Sequence, residues 1–345
     1  MIAAEPLARQ TAEFPGWQRE LAEAVRDPVE LLDLLGLTPA QLGGGETAAS
    51  LRAACMQFPL RVPRAFIARM RRGDPEDPLL RQVLAVGAEL LPTTGYSADP
   101  LHEADAREAP GLLHKYHGRA LLITTGACAV HCRYCFRRHY DYGQEQPEPG
   151  AARWAAALAH LSADPQIEEI ILSGGDPLSL GNPRLAALLR DVSALPQLRR
   201  IRIHTRTPIV LPARVDRGLL DAFAAIRDKL IVVVHVNHAA EIDSTTDAAL
   251  RLLHDSCAAL LNQSVLLRNV NDSTAALAQL CARLFESGVL PYYLHQLDPV
   301  AGAAHFSVPD ARARQLAQEL NACLPGYLVP RLVRETPGAG GKTPL

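Results

Sequence analysis

Long apolar runs are missing from this sequence. No stretch approaches the ~18 consecutive apolar residues of a membrane span, and the longest runs, such as Leu230–Val234, are strand-sized. The opening MIAAEPLARQTAEFPGWQRE lacks the basic start and apolar stretch of a secretory signal. A soluble, cytoplasmic protein without a membrane partner is therefore expected. An excess of charge of one sign is missing too: 35 Lys and Arg against 37 Asp and Glu leave a net charge of −2. Arg69, Arg71 and Arg72 come nearest to a basic cluster and read as a solvated helix end, so no nucleic acid is expected as a partner. There is no internal repeat of the 20–50-residue kind and no low-complexity tract. The cysteines number seven, an odd count that argues against a disulfide framework in a reducing compartment. Cys55, Cys257, Cys281 and Cys323 stand alone in apolar, helix-like surroundings and read as small hydrophobes.

What is present supports one large α/β unit. The chain has 345 residues, 48% of them apolar, enough for a sizeable core. Residues 1–110 read as a helical N-terminal region. Segments from Trp17 and from Asp27 carry apolar residues at helical spacing, Thr38-Pro39 is a cap followed by proline at the first helical position, and Pro92 to Pro100 reads as a linker. Residues 111–330 alternate short apolar runs with helical stretches. The runs are Arg119–Thr125, Ile167–Ser173, Leu198–Thr205, Lys229–His235, Gln263–Leu267 and Leu290–Leu297. Six such repeats predict parallel strands joined by helices, since parallel neighbours need a long crossover. Their continuous apolar character suits a sheet buried on both faces. Chemistry in such folds sits beyond the C-terminal strand ends. Cys128, Ser173-Gly174-Gly175-Asp176, His204-Thr205-Arg206, His235 and Asp298 all fall there.

Three cysteines lie within eight residues: Cys128-Ala-Val-His-Cys132-Arg-Tyr-Cys135. Thiolates spaced four and three apart wrap one compact centre. A [4Fe-4S] cubane on three thiolates keeps one iron without a protein ligand, and that iron is open to a small molecule. The alternative is zinc, which wants four closed ligands; His131 or His139 would have to complete the set, and no second CxxC pair appears. CxxxCxxC with an aromatic before the last cysteine resembles the radical SAM signature. The resemblance implies S-adenosyl-L-methionine on the open iron, cleaved by one electron from a donor to give a 5′-deoxyadenosyl radical. It also implies that Ser173, Gly174, Gly175 and Asp176 form the glycine-rich S-adenosylmethionine contact, with His235 and Gln263 lining the same site.

The final segment reads Pro337-Gly338-Ala-Gly340-Gly341-Lys342-Thr-Pro-Leu345. A P-loop is excluded, because Thr336 stands where its first glycine is required and no helix follows. A frayed tail is one reading; a lysine in a glycine-rich loop that forms an imine with an aldehyde cofactor is another. Together with Lys115-Tyr116-His117-Gly118-Arg119, Phe136-Arg137-Arg138, His235-Val-Asn-His238, Pro291-Tyr-Tyr and His305-Phe306, the triplet and this segment resemble the lysine 2,3-aminomutase family of radical SAM enzymes. The fold implied is a partial (β/α)6 radical SAM barrel (111–330) behind the helical region, with 331–345 as a segment that brings the pyridoxal 5′-phosphate lysine. By resemblance, Lys342 carries pyridoxal phosphate, and Lys115, Tyr116 and Arg119 lie near its phosphate. Arg137 matches the arginine for the substrate α-carboxylate, and Asp298 and Glu335 match the two acids for the ε-ammonium of lysine. Glu335 replaces an aspartate, Lys115 an arginine and His295 a tyrosine of the well-known lysine enzymes. Phe58–Met70 resembles the branch that makes (R)-β-lysine for elongation factor P, which implies a functional link to that factor and its lysyl-transferring ligase, and a homo-oligomer. The alternatives are an aminomutase serving the free amino-acid pool and a zinc- or cluster-stabilised binding module without turnover.

Overall fold

The computed structural model describes residues 16–145 and 154–345. The first fifteen residues of the N-terminal region, and the start of a helix expected over 151–162, lie outside the described residues; that helix is described as Ala155–Ala163.

Ten strands form one sheet in chain order. They are β1 Arg107–Ala109, β2 Leu112–Tyr116, β3 Arg119–Thr125, β4 Glu169–Gly174, β5 Arg200–Thr205, β6 Leu230–His235, β7 Ala259–Val265, β8 Leu290–His295, β9 Arg331–Arg334 and β10 Thr343–Pro344. From β3 to β9 every neighbouring pair is parallel, as an open, half-barrel α/β sheet requires. The β1/β2, β2/β3 and β9/β10 pairs are antiparallel. The six expected strands are thus present, and β9 adds a seventh parallel one. The fifth starts four residues before the expected Gln263. Its preceding helix, Ser244–Asp255, ends early, and the Ala259-Leu-Leu start looked helical by composition. β7 alternates buried and half-buried residues, with Leu260, Asn262 and Ser264 on the covered face.

The sheet core is the expected apolar one. Leu122, Ile170, Leu172, Ile201, Ile203, Val232 and Val234 project from the strands onto Leu185, Leu188, Leu219, Leu250 and Leu280 of the flanking helices. Each fully buried side chain of this kind is worth roughly 1.5–3 kcal/mol.

The N-terminal region is helical in short pieces. Pro28–Leu35 shows why: Pro28 occupies the first turn, the Asp27 carboxylate accepts from the Val29 and Glu30 amides, and Gly36 ends the helix at φ 68°. β1 falls within residues expected to be helical. The region packs its own core of Leu31, Leu51, Val62, Phe66 and Leu80 directly against Ala129 and Val130 of the cysteine loop. It therefore forms the floor under that loop.

Candidate active site

A cavity of about 320 Å³ opens at the C-terminal ends of the parallel strands, and every residue expected to carry chemistry lines it. Cys128, Cys132 and Cys135 sit on the loop that leaves β3. The N-terminal region fixes that loop through its backbone: Arg61 donates to the Cys128 carbonyl at 3.1 Å, and the Arg133 amide donates to the Gln82 carbonyl at 2.9 Å. Glu89, fully buried, accepts from Arg133 at 2.6 Å and from Arg138 at 2.5 Å, bracketing Cys135 between two anchored residues.

The three sulfurs are close enough to repel one another as thiolates. Burial first, then Asp176 and the other two thiols, push Cys128 well above the ordinary thiol range, and burial followed by Cys132 pushes Cys135 up to about 11. A positively charged metal centre reverses that preference and deprotonates such thiols. His131 directs Nδ1 to the Pro59 carbonyl at 2.8 Å, and His139 directs Nε2 to the Ala301 carbonyl at 3.1 Å. Among the described residues, no three His, Cys, Asp or Glu groups converge on a single ion position. A cubane places its thiolates on separate corners, and this donor set fits one.

Gly174 and Gly175 are required by close packing. A Cβ on Gly175 would lie 2.3 Å from the Ala127 carbonyl oxygen, and one on Gly174, whose φ is 117°, would lie 2.6 Å from that of Thr125. The loop after β4 thus presses its backbone against the cysteine loop, with the Gly175 and Asp176 amides donating to the Thr125 and Ala127 carbonyls. Asp176 forms part of the wall, but both its oxygens are engaged. They accept from the Leu178, Arg206 and Thr207 amides and from the Thr205 hydroxyl at 2.7–3.0 Å. Its visible work is tying the β4 loop to the β5 loop. His235 stacks on Tyr134, whose hydroxyl lies 3.0 Å from His235 Nε2, and Gln263 lines the wall beside it.

The opposite wall is an alternating chain of charges. Arg137 makes a bidentate pair with Glu103 at 2.6 and 2.8 Å and reaches Ser173 Oγ at 3.1 Å and the Gly174 carbonyl at 3.3 Å. Four of its five N–H donors are thereby used, so one remains for a ligand carboxylate. Lys115 bridges Glu103 and Glu335, 3.1 Å from each, and Lys342 donates to Glu335 at 2.7 Å. Burial works to raise Glu335, but Lys342 and Lys115 overcome it and hold it well below the usual carboxylate range. Burial, aided by Glu335, pushes Asp298 up to about 7. Arg119 lies over the Tyr116 ring at 4.6 Å. Lys115 was expected near a cofactor phosphate, yet here its ammonium is held between two carboxylates.

Lys342 does not sit on a frayed tail, because β10 pairs with β9 immediately beyond it. Two half-buried imidazoles near it, His204 and His295, have a buried Nε2 without a partner. Burial, then charges including Lys342, keep both neutral, with His295 lowered to about 3. Arg119 also lines this cavity, while Lys342 and Lys115 are paired with Glu335 and Glu103. Glu103, Arg206 and His204 were given no role by sequence reasoning. Glu103 lies just beyond the Pro92–Pro100 linker with no local mark, whereas His204 and Arg206 were visible as polar residues at a strand end.

Residues 122–276 match the family model of the Radical SAM superfamily; with the parallel half-barrel and its cysteine loop, the class is that of a radical SAM enzyme. The chain is 49% identical to L-lysine 2,3-aminomutase of Escherichia coli (strain K12) over 95% of this chain and 94% of that protein. It is 42% identical to the Haemophilus influenzae protein of the same name, over 99% and 98% respectively. The Clostridium subterminale protein is 32% identical over 97% of this chain and 78% of its own length. The chain belongs to the L-lysine 2,3-aminomutase family and is an enzyme of the isomerase class.

Proposed function

We propose that this enzyme converts (S)-α-lysine to (R)-β-lysine, and that the product serves the modification of elongation factor P in the cytoplasm. The observation that carries the reading is the meeting of the cysteine triplet with Lys342, Glu335 and Asp298 in one cavity. Cys128, Cys132 and Cys135 would hold a [4Fe-4S] cluster; Ser173, Gly174, Gly175, Asp176, His235 and Gln263 would border S-adenosyl-L-methionine. Lys342 would hold pyridoxal 5′-phosphate, with Lys115, Tyr116 and Arg119 toward its phosphate. When bound, these groups supply a carbon radical and an electron sink beside the migrating nitrogen.

The chain's own residues select and orient the substrate. Glu335 holds the Lys342 ammonium at the cavity wall, and with Asp298 it offers two carboxylates to a cationic side chain. The remaining Arg137 donor meets the α-carboxylate at the other end. An acidic side chain would bring like charge to Asp298 and Glu335, so glutamate is expected to be a poor substrate. Asp298 must be ionised to pair, and the arriving ammonium favours that ionisation.

The link to elongation factor P is supported by the resemblance of Phe58–Met70, and Arg61 in that segment contacts the cysteine loop. The partners implied are elongation factor P, its lysyl-transferring ligase and an electron donor, with a homo-oligomer as the working form. Anaerobic reconstitution with iron, sulfide and pyridoxal phosphate, followed by lysine, S-adenosylmethionine and dithionite, tests the activity. β-Lysine is expected, and its absence with a filled cluster sinks the reading. Co-expression with elongation factor P and the ligase should place a β-lysyl group on the factor, identified by hydrolysis and chromatography against α-lysine, which has the same mass.

A further inference from the structure

The loop after β5 carries a side chain that the reaction just described does not use. Arg206 turns under the cysteine loop, and its Nη1 donates to Cys132 Sγ at 3.1 Å. Its Nη2 is held by Gln82 Oε1 at 2.8 Å and Glu241 Oε2 at 3.2 Å. Its backbone amide is pinned by Asp176 at 2.7 Å, and its guanidinium lies over the Tyr134 ring at 5.6 Å. Arg206 is buried, with 7% of its side chain exposed, and Glu241 is fully buried. The guanidinium is therefore fixed from three directions, with one N–H aimed at a sulfur.

We propose that Arg206 is a positioning residue that sets the reduction potential of the cluster held by Cys132, with Glu241 as the counter-charge that limits its effect. The inference rests on the cluster assignment above. Reduction adds one electron, supplied by a low-potential one-electron donor, and so adds one negative charge to the cluster and its three thiolates. A fixed cation and a hydrogen bond to a ligand sulfur stabilise the more negative state. They act strongly here because the surroundings are buried. Arg206 thus makes the cluster easier to reduce, and Glu241 keeps that gain partial. Lysine at this position retains the charge but loses the planar fork that also reaches Gln82 and Glu241.

The test is a redox titration of the reconstituted full-length protein, without lysine or S-adenosylmethionine, read by the electron paramagnetic resonance of the reduced cluster. Arg206→Gln should lower the reduced-to-oxidised ratio at a fixed potential by on the order of tenfold, equal to about 59 mV for one electron. Arg206→Lys should recover most of that loss. Glu241→Gln should move the ratio the opposite way, and it decides the matter if Arg206→Gln loses its cluster. Unchanged potentials in Arg206→Gln at full iron content, or a lowered potential in Glu241→Gln, would overturn the proposal. A wild-type protein that binds no cluster overturns the cluster assignment instead, so the two failures are distinguishable.

Discussion

Lys342 and Asp298 carry the sharpest expectations at the scale of single residues. Lys342 is tied to Glu335 by a 2.7 Å bond, while the cysteine loop is fixed by separate residues. Lys342→Ala should abolish the pyridoxal absorbance and reduce β-lysine formation to background. Iron content should remain at the wild-type level, and a variant that still makes β-lysine at the native rate would remove Lys342 from its role. Asp298 has its carboxyl raised to about 7 by burial and by Glu335. Below that pH it is neutral and a poor partner for an ammonium. The KM for lysine should therefore fall as pH rises through about 7, and lysine binding at pH 6–7 should release a proton, measurable by calorimetry in two buffers. In Asp298→Asn both effects should vanish.

The cysteine loop is the element on which most of the structure converges. Its floor is the N-terminal core, its flank is the β4 loop, and its ends are gripped by Glu89. Gly175→Ala would put a methyl 2.3 Å from the Ala127 carbonyl oxygen, so the loop itself must move. A loss of about 1–3 kcal/mol is expected from such overpacking, together with fewer irons per chain, read by denaturant melts and iron analysis. Glu89→Gln leaves Arg133 and Arg138 buried with no counter-charge. Breaking a buried pair on one side costs roughly 3–5 kcal/mol. The same melts should show that loss.

Across the whole molecule, the buried charges give stability opposing responses to pH. Glu103 and Glu335 are held low by their cationic partners despite burial, so their contribution is present above the ordinary value of 4.5 and is lost as pH falls below it. Asp298 is raised, so its contribution is present below 3.8 and is lost as pH rises through about 7. Thermal melts of the apo-protein should be highest between these limits, and Asp298→Asn should flatten the alkaline limb alone. How much of this was legible beforehand follows from the range of each interaction. The cysteine spacing, the glycine pair and the strand–helix alternation are local patterns contained within a few residues, whereas the local pattern around the terminal lysine left a tail and a site lysine both open. The early end of the helix before β7, and β1 inside a stretch expected to be helical, were not readable, since short apolar segments suit either state until neighbours cover them. Glu103 and Arg206 depend on pairing over 34 and 74 residues, and Lys115 meets Glu335 across 220. Sequence by itself determined which thiols, carboxylates and amines the chain can offer at its strand ends. Only the tertiary structure decided which charges face each other, because the order of strands around the sheet, not distance along the chain, sets who is desolvated beside whom.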